Sequence, residues 1–172
     1  MNLAQGAIVA VNISSIQIKN CDIFDLILNS LKNSNLDAKY LEVELTESYI
    51  MENTEQSLLT LNKLKDLGIK LAIDDFGTGY SSLSYLKKFP IDKLKIDKSF
   101  VNELPNNPKD VAIARTIIAL AKGLEMKTIA EGVELQKQKD FLEQEECDEI
   151  QGWLYGKALR ENDFIEFAKN FK

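Results

Sequence analysis

Residues 69–97 read IKLAIDDFGTGYSSLSYLKKFPIDKLKID. An apolar run ends in two adjacent carboxylates, Asp74 and Asp75, and opens into a loop containing Gly77, Thr78 and Gly79. The stretch SSLSYLKKF then carries a helical pattern, Pro90 stops it, and a second short strand follows. A buried strand, a loop, a helix and another buried strand form the repeating unit of a parallel sheet. Within LKID, alternation sends Leu94 and Ile96 to one face and Lys95 to the other. In a barrel that other face is the interior, so a lysine there requires acidic company.

The same grammar extends in both directions. Apolar runs occur as AIVAVNI, YLEVEL, KTIA and DEIQGWL, separated by the helical patterns DIFDLILNSLKN, ENTEQSLLTLNKLKDLG, PKDVAIARTIIALAKGLE and LQKQKDFLEQE, and ENDFIEFAKNF closes the chain. Asn53 with Gln56 predicts a helix start, Leu58, Leu61, Leu64 and Leu67 an apolar stripe, and Gly68 its end. Pro108 and Gly123 bracket the next long helix. Alternation at this density predicts one α/β domain over residues 1–172, with no linker or repeat dividing it.

Six strands finish on polar residues: Asn12, Glu44, Asp74 with Asp75, Lys95 or Asp97, Glu131 and Gln151. The carboxyl ends of parallel strands share one face, where α/β active sites are built. Each residue alone has an ordinary explanation: Asn12 as a turn cap, Glu47 and Glu134 as helix-start acids, Gln151 as a satisfied core amide. Together they predict a cluster of carboxylates whose repulsion a divalent cation would relieve, and oxygen donors suit Mg²⁺, Mn²⁺ or Ca²⁺.

Composition narrows the chemistry. The 172 residues include no histidine, which excludes Ser-His-Asp and Cys-His catalysis and histidine-bound zinc. With 21 basic and 27 acidic residues the formal charge is −6, unfavourable for binding a DNA or RNA polymer or an anionic membrane surface. Neither a signal peptide nor a membrane-spanning run is visible, and Cys21 and Cys147 read as reduced structural thiols, so a cytoplasmic setting is expected. Asp75-Phe76-Gly77 matches one kinase triplet, but no glycine-rich phosphate loop or HRD accompanies it.

The segments VNIS around Asn12, ELTES from Glu44, DDFGTGYSSLSYLKKFPIDKLKIDKSFV from Asp74, TIAEGVE to Glu134 and QGWLYGKAL from Gln151 closely resemble the EAL domain family, bacterial phosphodiesterases of cyclic di-GMP. The resemblance implies a (β/α)8 TIM-like barrel and a two-metal hydrolysis of cyclic di-GMP to pGpG with Mg²⁺ or Mn²⁺. It implies Asn12, Glu44 and Asp74 as ligands of one metal, with Asp74, Asp75 and Glu131 serving a second. Lys95 and Gln151 would attend the nucleophilic water, Glu47 would hold the loop of Gly77, Thr78 and Gly79, and Glu134 would support the site. One departure stands out: the sequence contains no Glu-Ala-Leu, the motif that names the family. The chain therefore resembles the last six of eight strands, an N-terminally truncated domain with weak activity alone, completed by self-association or an upstream segment. Two other readings are a catalytically silent EAL-like module binding nucleotide or a protein partner, and an enolase-like barrel with Lys95 as base.

Overall fold

The computed structural model describes residues 7–14, 17, 22–52, 54–79 and 83–170. Cys21, Ser81, Ser82 and the expected helix cap Asn53 lie outside the described residues. Six strands, β1 (Val9–Ile13), β2 (Leu41–Thr46), β3 (Lys70–Phe76), β4 (Lys93–Ile96), β5 (Lys127–Ala130) and β6 (Glu149–Ile150), form one sheet in sequence order. Every neighbouring pair is parallel, as in an α/β protein. The helices are α1 (Ile23–Ser34), α2 (Glu47–Glu52), α3 (Thr54–Asp66), α4 (Leu83–Leu86), α5 (Lys98–Val101), α6 (Pro108–Gly123), α7 (Gln136–Gln144) and α8 (Glu161–Asn170).

Local chemistry sets the helix boundaries. Asp22 caps α1 by accepting the Phe24 and Asp25 N–H groups, and Asn35 ends it at a left-handed φ of 54°. Ile23, Ile27 and Leu31, each four residues apart, form its buried stripe. Asn107 caps α6 and Pro108 occupies its first turn, where a missing N–H costs nothing. Leu61 and Leu64 of α3 are buried, with Leu58 and Leu67 packed at the margin of the same core. Leu71 and Ile73 of β3 and Leu94 and Ile96 of β4, all fully buried, belong to the same core.

Two carboxylates lock strand starts. Asp92 accepts the Leu71 N–H at 2.8 Å and both arms of a Lys65 ion pair at 2.7 and 2.8 Å. Asp148 accepts the Thr128 N–H and hydroxyl at 2.8 and 3.1 Å. Both acids precede a strand and tie down the start of the strand beside it, opposite the end where the polar strand termini gather.

Among the described residues, β1 and β6 each pair with one strand only. The consequence shows in β1, where Val9 and Val11 are 51% and 43% exposed, with Ile8 just before it 44% exposed, although parallel strands are normally covered on both faces. At the other end, Trp153, Leu159, Phe164 and Phe167 are exposed around an open cleft of about 1200 Å³ that also reaches Glu131 and Gln151. No helix among the described residues is long and apolar enough to cross a membrane.

Candidate metal and phosphodiester site

Strand alternation delivers Glu44 from β2, Lys95 from β4 and Glu131 from the end of β5 to one face, and Lys95 is 3% exposed. Its Nζ lies 2.6 Å from Glu44 Oε2, 2.9 Å from Asp74 Oδ1 and 2.8 Å from Glu131 Oε1. Burial alone would lower the Lys95 pKa, but hydrogen bonds to Glu131, Glu44 and Asp74 outweigh it and hold the ammonium well above lysine's usual range. So held, the ammonium binds Glu44, Asp74 and Glu131 together.

Asp74 and Asp75 lie at the carboxyl end of β3, as the sequence leads one to expect, with Phe76 as the last residue of the strand. The β3–β4 register advances from Ile73↔Leu94 to Phe76↔Ile96, three residues on β3 against two on β4. That extra residue is a bulge, and Asp75 adopts φ +55° there. In a regular strand adjacent side chains face opposite ways. The bulge cancels that alternation, so oxygens of Asp74, Asp75 and Glu131 all lie within 4.8 Å of one another. Strain at a non-glycine left-handed residue is a recurring signature of functional sites.

Crowding registers in the titration of these acids. Burial, followed by the charges of Asp74 and Asp97, pushes Asp75 above the usual carboxylate range. Burial likewise raises Glu131, with Lys95 opposing the rise. For Asp97 burial also acts upward, but the Ser99 hydroxyl and N–H more than offset it and leave the carboxyl lowered. Glu44, Asp74, Asp75 and Glu131 thus face one ammonium, Lys95, a formal excess of three negative charges. An all-oxygen donor set with uncompensated negative charge fits hard divalent cations.

The neighbouring loop is held from α2. Glu47, 2% exposed, accepts the Gly77 N–H at 3.0 Å and the Gly79 N–H at 3.3 Å through Oε2. Gly79 has no room for a side chain, since a Cβ there would sit 2.8 Å from Glu47 Oε1. The Thr78 hydroxyl donates to the Asp75 carbonyl at 2.8 Å, closing the turn onto the bulge.

The remaining expected residues ring this centre without touching Lys95 in any described contact. Asn12 is paired in register with Glu44 and is exposed at the end of β1. Gln151 follows β6; its N–H donates to the Ala130 carbonyl at 2.8 Å and its carbonyl accepts the Val133 N–H at 3.0 Å. Gly152 follows because a Cβ there would approach the Val133 carbonyl oxygen to 2.1 Å. Glu134 borders the cleft shared with Glu131 and Gln151.

Gln138, which the sequence did not single out, and Asp97, given no role there, also organise the site. Buried Gln138 accepts the Glu134 and Leu135 N–H groups at 2.8 Å each and donates to the Val101 and Asn102 carbonyls at 3.1 Å. Asp97, noted only as one possible strand end, caps α5 and abuts Asp75. A buried helix-start glutamine carries no sequence signal that distinguishes it from a solvated one.

A family model described as "EAL domain" matches residues 2–158. The chain is 40% identical over 164 residues to "Cyclic di-GMP phosphodiesterase NbdA" of Pseudomonas aeruginosa, covering 95% of this chain and 21% of that protein. Of solved structures, "PaMucR Phosphodiesterase, c-di-GMP complex" superposes with a TM-score of 0.88 at 41% identity, over 91% of this chain and 64% of that one. A Klebsiella pneumoniae BlrP1 manganese/cy-diGMP complex superposes with a TM-score of 0.81 at 30% identity, over 90% of this chain and 40% of that one. The chain spans about a fifth of the length of the curated relatives it matches.

Proposed function

The chain belongs to the EAL domain family, and from that premise we propose that its polar strand ends form the catalytic face of a cyclic di-GMP phosphodiesterase, which opens the ring to pGpG with two divalent cations, Mg²⁺ or Mn²⁺. The observation that carries this reading is the meeting of Glu44, Asp74 and Glu131 on one buried ammonium, with Asp75 turned into the same cluster by the bulge.

Asn12, Glu44 and Asp74 would hold one cation, and Asp74, Asp75 and Glu131 the other. When bound, such a pair supplies Lewis acidity that lowers the pKa of a water and neutralises charge on the phosphodiester. The chain's own groups do the rest. Lys95 keeps the three carboxylates converged and, once cations share their oxygens, would contact the attacking water, and Gln151 would supply an amide beside it. Glu47 fixes the Gly77 and Gly79 amides, so the loop beside the aspartates does not collapse into the site. Glu134, at the rim of the cleft, supports the loop that follows Glu131. A cyclic dinucleotide messenger as substrate supports a cytoplasmic setting for this face.

We read the sheet as six strands of an eight-stranded barrel. The share of the matched solved chain that is covered, 64%, and β1 and β6, which among the described residues each pair with one strand, both support this. Strands from an upstream segment would bring the Glu-Ala-Leu glutamate and part of the substrate floor, whereas self-association would cover the sheet edges without supplying that motif. Hydrolysis by residues 1–172 alone is accordingly weak.

A second reading, a catalytically silent module that binds nucleotide or a protein partner, draws on the missing Glu-Ala-Leu. The two separate in one assay: cyclic di-GMP turnover with Mn²⁺ by this chain and by the chain joined to the two N-terminal strand–helix units of an EAL relative. Turnover restored in the fusion and lost again in its Asp74→Asn variant supports the phosphodiesterase. A folded fusion that binds the dinucleotide without cleaving it supports the silent module.

A further inference from the structure

One layer beneath the Lys95 cluster lies a second buried ion group. Lys93 Nζ is 3.0 Å from Glu42 Oε2 and 2.7 Å from Glu149 Oε2. Glu42 and Lys93 are only 4% and 6% exposed. These residues come from β2, β4 and β6, and each precedes by two positions a residue of the proposed site: Glu42 before Glu44, Lys93 before Lys95, Glu149 before Gln151. Residues two apart on a strand face the same way, about 6.6 Å along it. The lower ions therefore form a floor under the upper ones.

Alternate strands normally fill a barrel layer with branched apolar side chains. A buried ion group in that place is not the more stabilising choice, since the desolvation of charges offsets much of their attraction. What it adds is direction: an ammonium accepts only a few arrangements of carboxylates around it. The strand most in need of such a constraint is β6, which has two residues and, among the described residues, one neighbour, β5.

We propose that Lys93 is a positioning residue, a crossbar that ties β6 through Glu149 to β4 and, through Glu42, to β2, and so holds Gln151 in register with Glu44 and Lys95. The claim concerns the placement of Gln151 and rests on the proposed phosphodiesterase site only for what that placement serves. Lys127, 3.8 Å from Glu149 Oε1 and exposed, braces the same carboxylate from the rim.

The test is amide hydrogen exchange by NMR on the nitrogen-15-labelled, metal-free chain. Two variants are compared with the parent: Glu149→Gln, at a carboxylate that is 38% exposed, and the triple variant Lys93→Met/Glu42→Gln/Glu149→Gln, which leaves no buried charge unpaired. The Gln151 N–H bonds to the Ala130 carbonyl and the Val133 N–H to the Gln151 carbonyl. Exchange at these two amides should accelerate about 3-fold in the single variant and at least about 10-fold in the triple, with β2–β3 amides changing less than about twofold. This selectivity is what separates a local positioning role from a global one. Equal acceleration of the Gln151, Val133 and β2–β3 amides, or none at Gln151 and Val133, overturns the proposal. Added Mn²⁺ tests the site separately: if the Asp74 and Asp75 resonances of the parent do not broaden, the metal reading fails while the exchange result still decides the crossbar.

Discussion

Replacing Gly79 with alanine should reveal how firmly Glu47 is held. Gly79 is not among the residues with positive φ, so alanine meets no backbone strain there. The obstacle is the Glu47 carboxyl, whose Oε1 and Cδ would lie 2.8 and 3.0 Å from the new methyl. A free carboxyl would swing aside at little cost. This one is 2% exposed and holds the Gly77 and Gly79 amides, so moving it sacrifices hydrogen bonds to a charged acceptor. Each such bond is worth about 1.5–3 kcal/mol. With one bond lost and the other bent, Gly79→Ala should destabilise the chain by about 2 kcal/mol. In a Glu47→Ala background the obstacle is gone, and the alanine should instead stabilise by about 0.5 kcal/mol through reduced unfolded-state entropy. The coupling energy is then about 2.5 kcal/mol, within the range of residues in direct contact. Urea unfolding of the four proteins, followed by circular dichroism, measures it. An equal cost for Gly79→Ala in both backgrounds would refute the idea that Glu47 is pinned by the loop.

Other substitutions test neighbouring parts of the site. Gly152→Ala places a methyl 2.1 Å from a backbone oxygen, with no flexible side chain to yield, and should cost about 3 kcal/mol in urea unfolding, the upper end of overpacking. Asp75→Asn should raise the thermal midpoint of the metal-free chain at pH 7. Burial and its acidic neighbours raise the Asp75 pKa, so its ionised form weakens the fold once pH climbs through that raised value. The advantage of asparagine should shrink as pH falls through the raised value and vanish below the unfolded aspartate's value of about 3.9, where the parent's carboxyl is protonated in both states. Asparagine also tolerates the left-handed angle at this position. The same variant should bind Mn²⁺ at least about 10-fold more weakly by calorimetry, since even outer groups at metal sites carry factors of that size.

Much of this site was legible in the sequence because it obeys alternation. Glu44 between Val43 and Leu45, and Lys95 between Leu94 and Ile96, can only face away from the helix-covered side. Parallel topology then brings them together. The bulge was not legible: nothing in LAIDDF distinguishes two acids following a strand from two acids inside a kinked one. Nor was the Lys93 layer, because a polar residue facing a barrel interior has the same period-two pattern as one facing solvent. Glu42, Lys93 and Glu149 become recognisable only when register sets them across from one another. The brevity of β6 was hidden too, since DEIQGWL is apolar enough for a longer strand but lacks a second neighbour to pair with.

Anomalous diffraction at the manganese edge, from crystals of the upstream-extended chain grown with Mn²⁺ and cyclic di-GMP, examines the two-metal site most directly. The expected map has two peaks about 3.5–4 Å apart, one beside Asn12, Glu44 and Asp74 and the other beside Asp74, Asp75 and Glu131. A fully occupied dinucleotide with no manganese at these carboxylates, or with its only peaks elsewhere, would contradict the assignment.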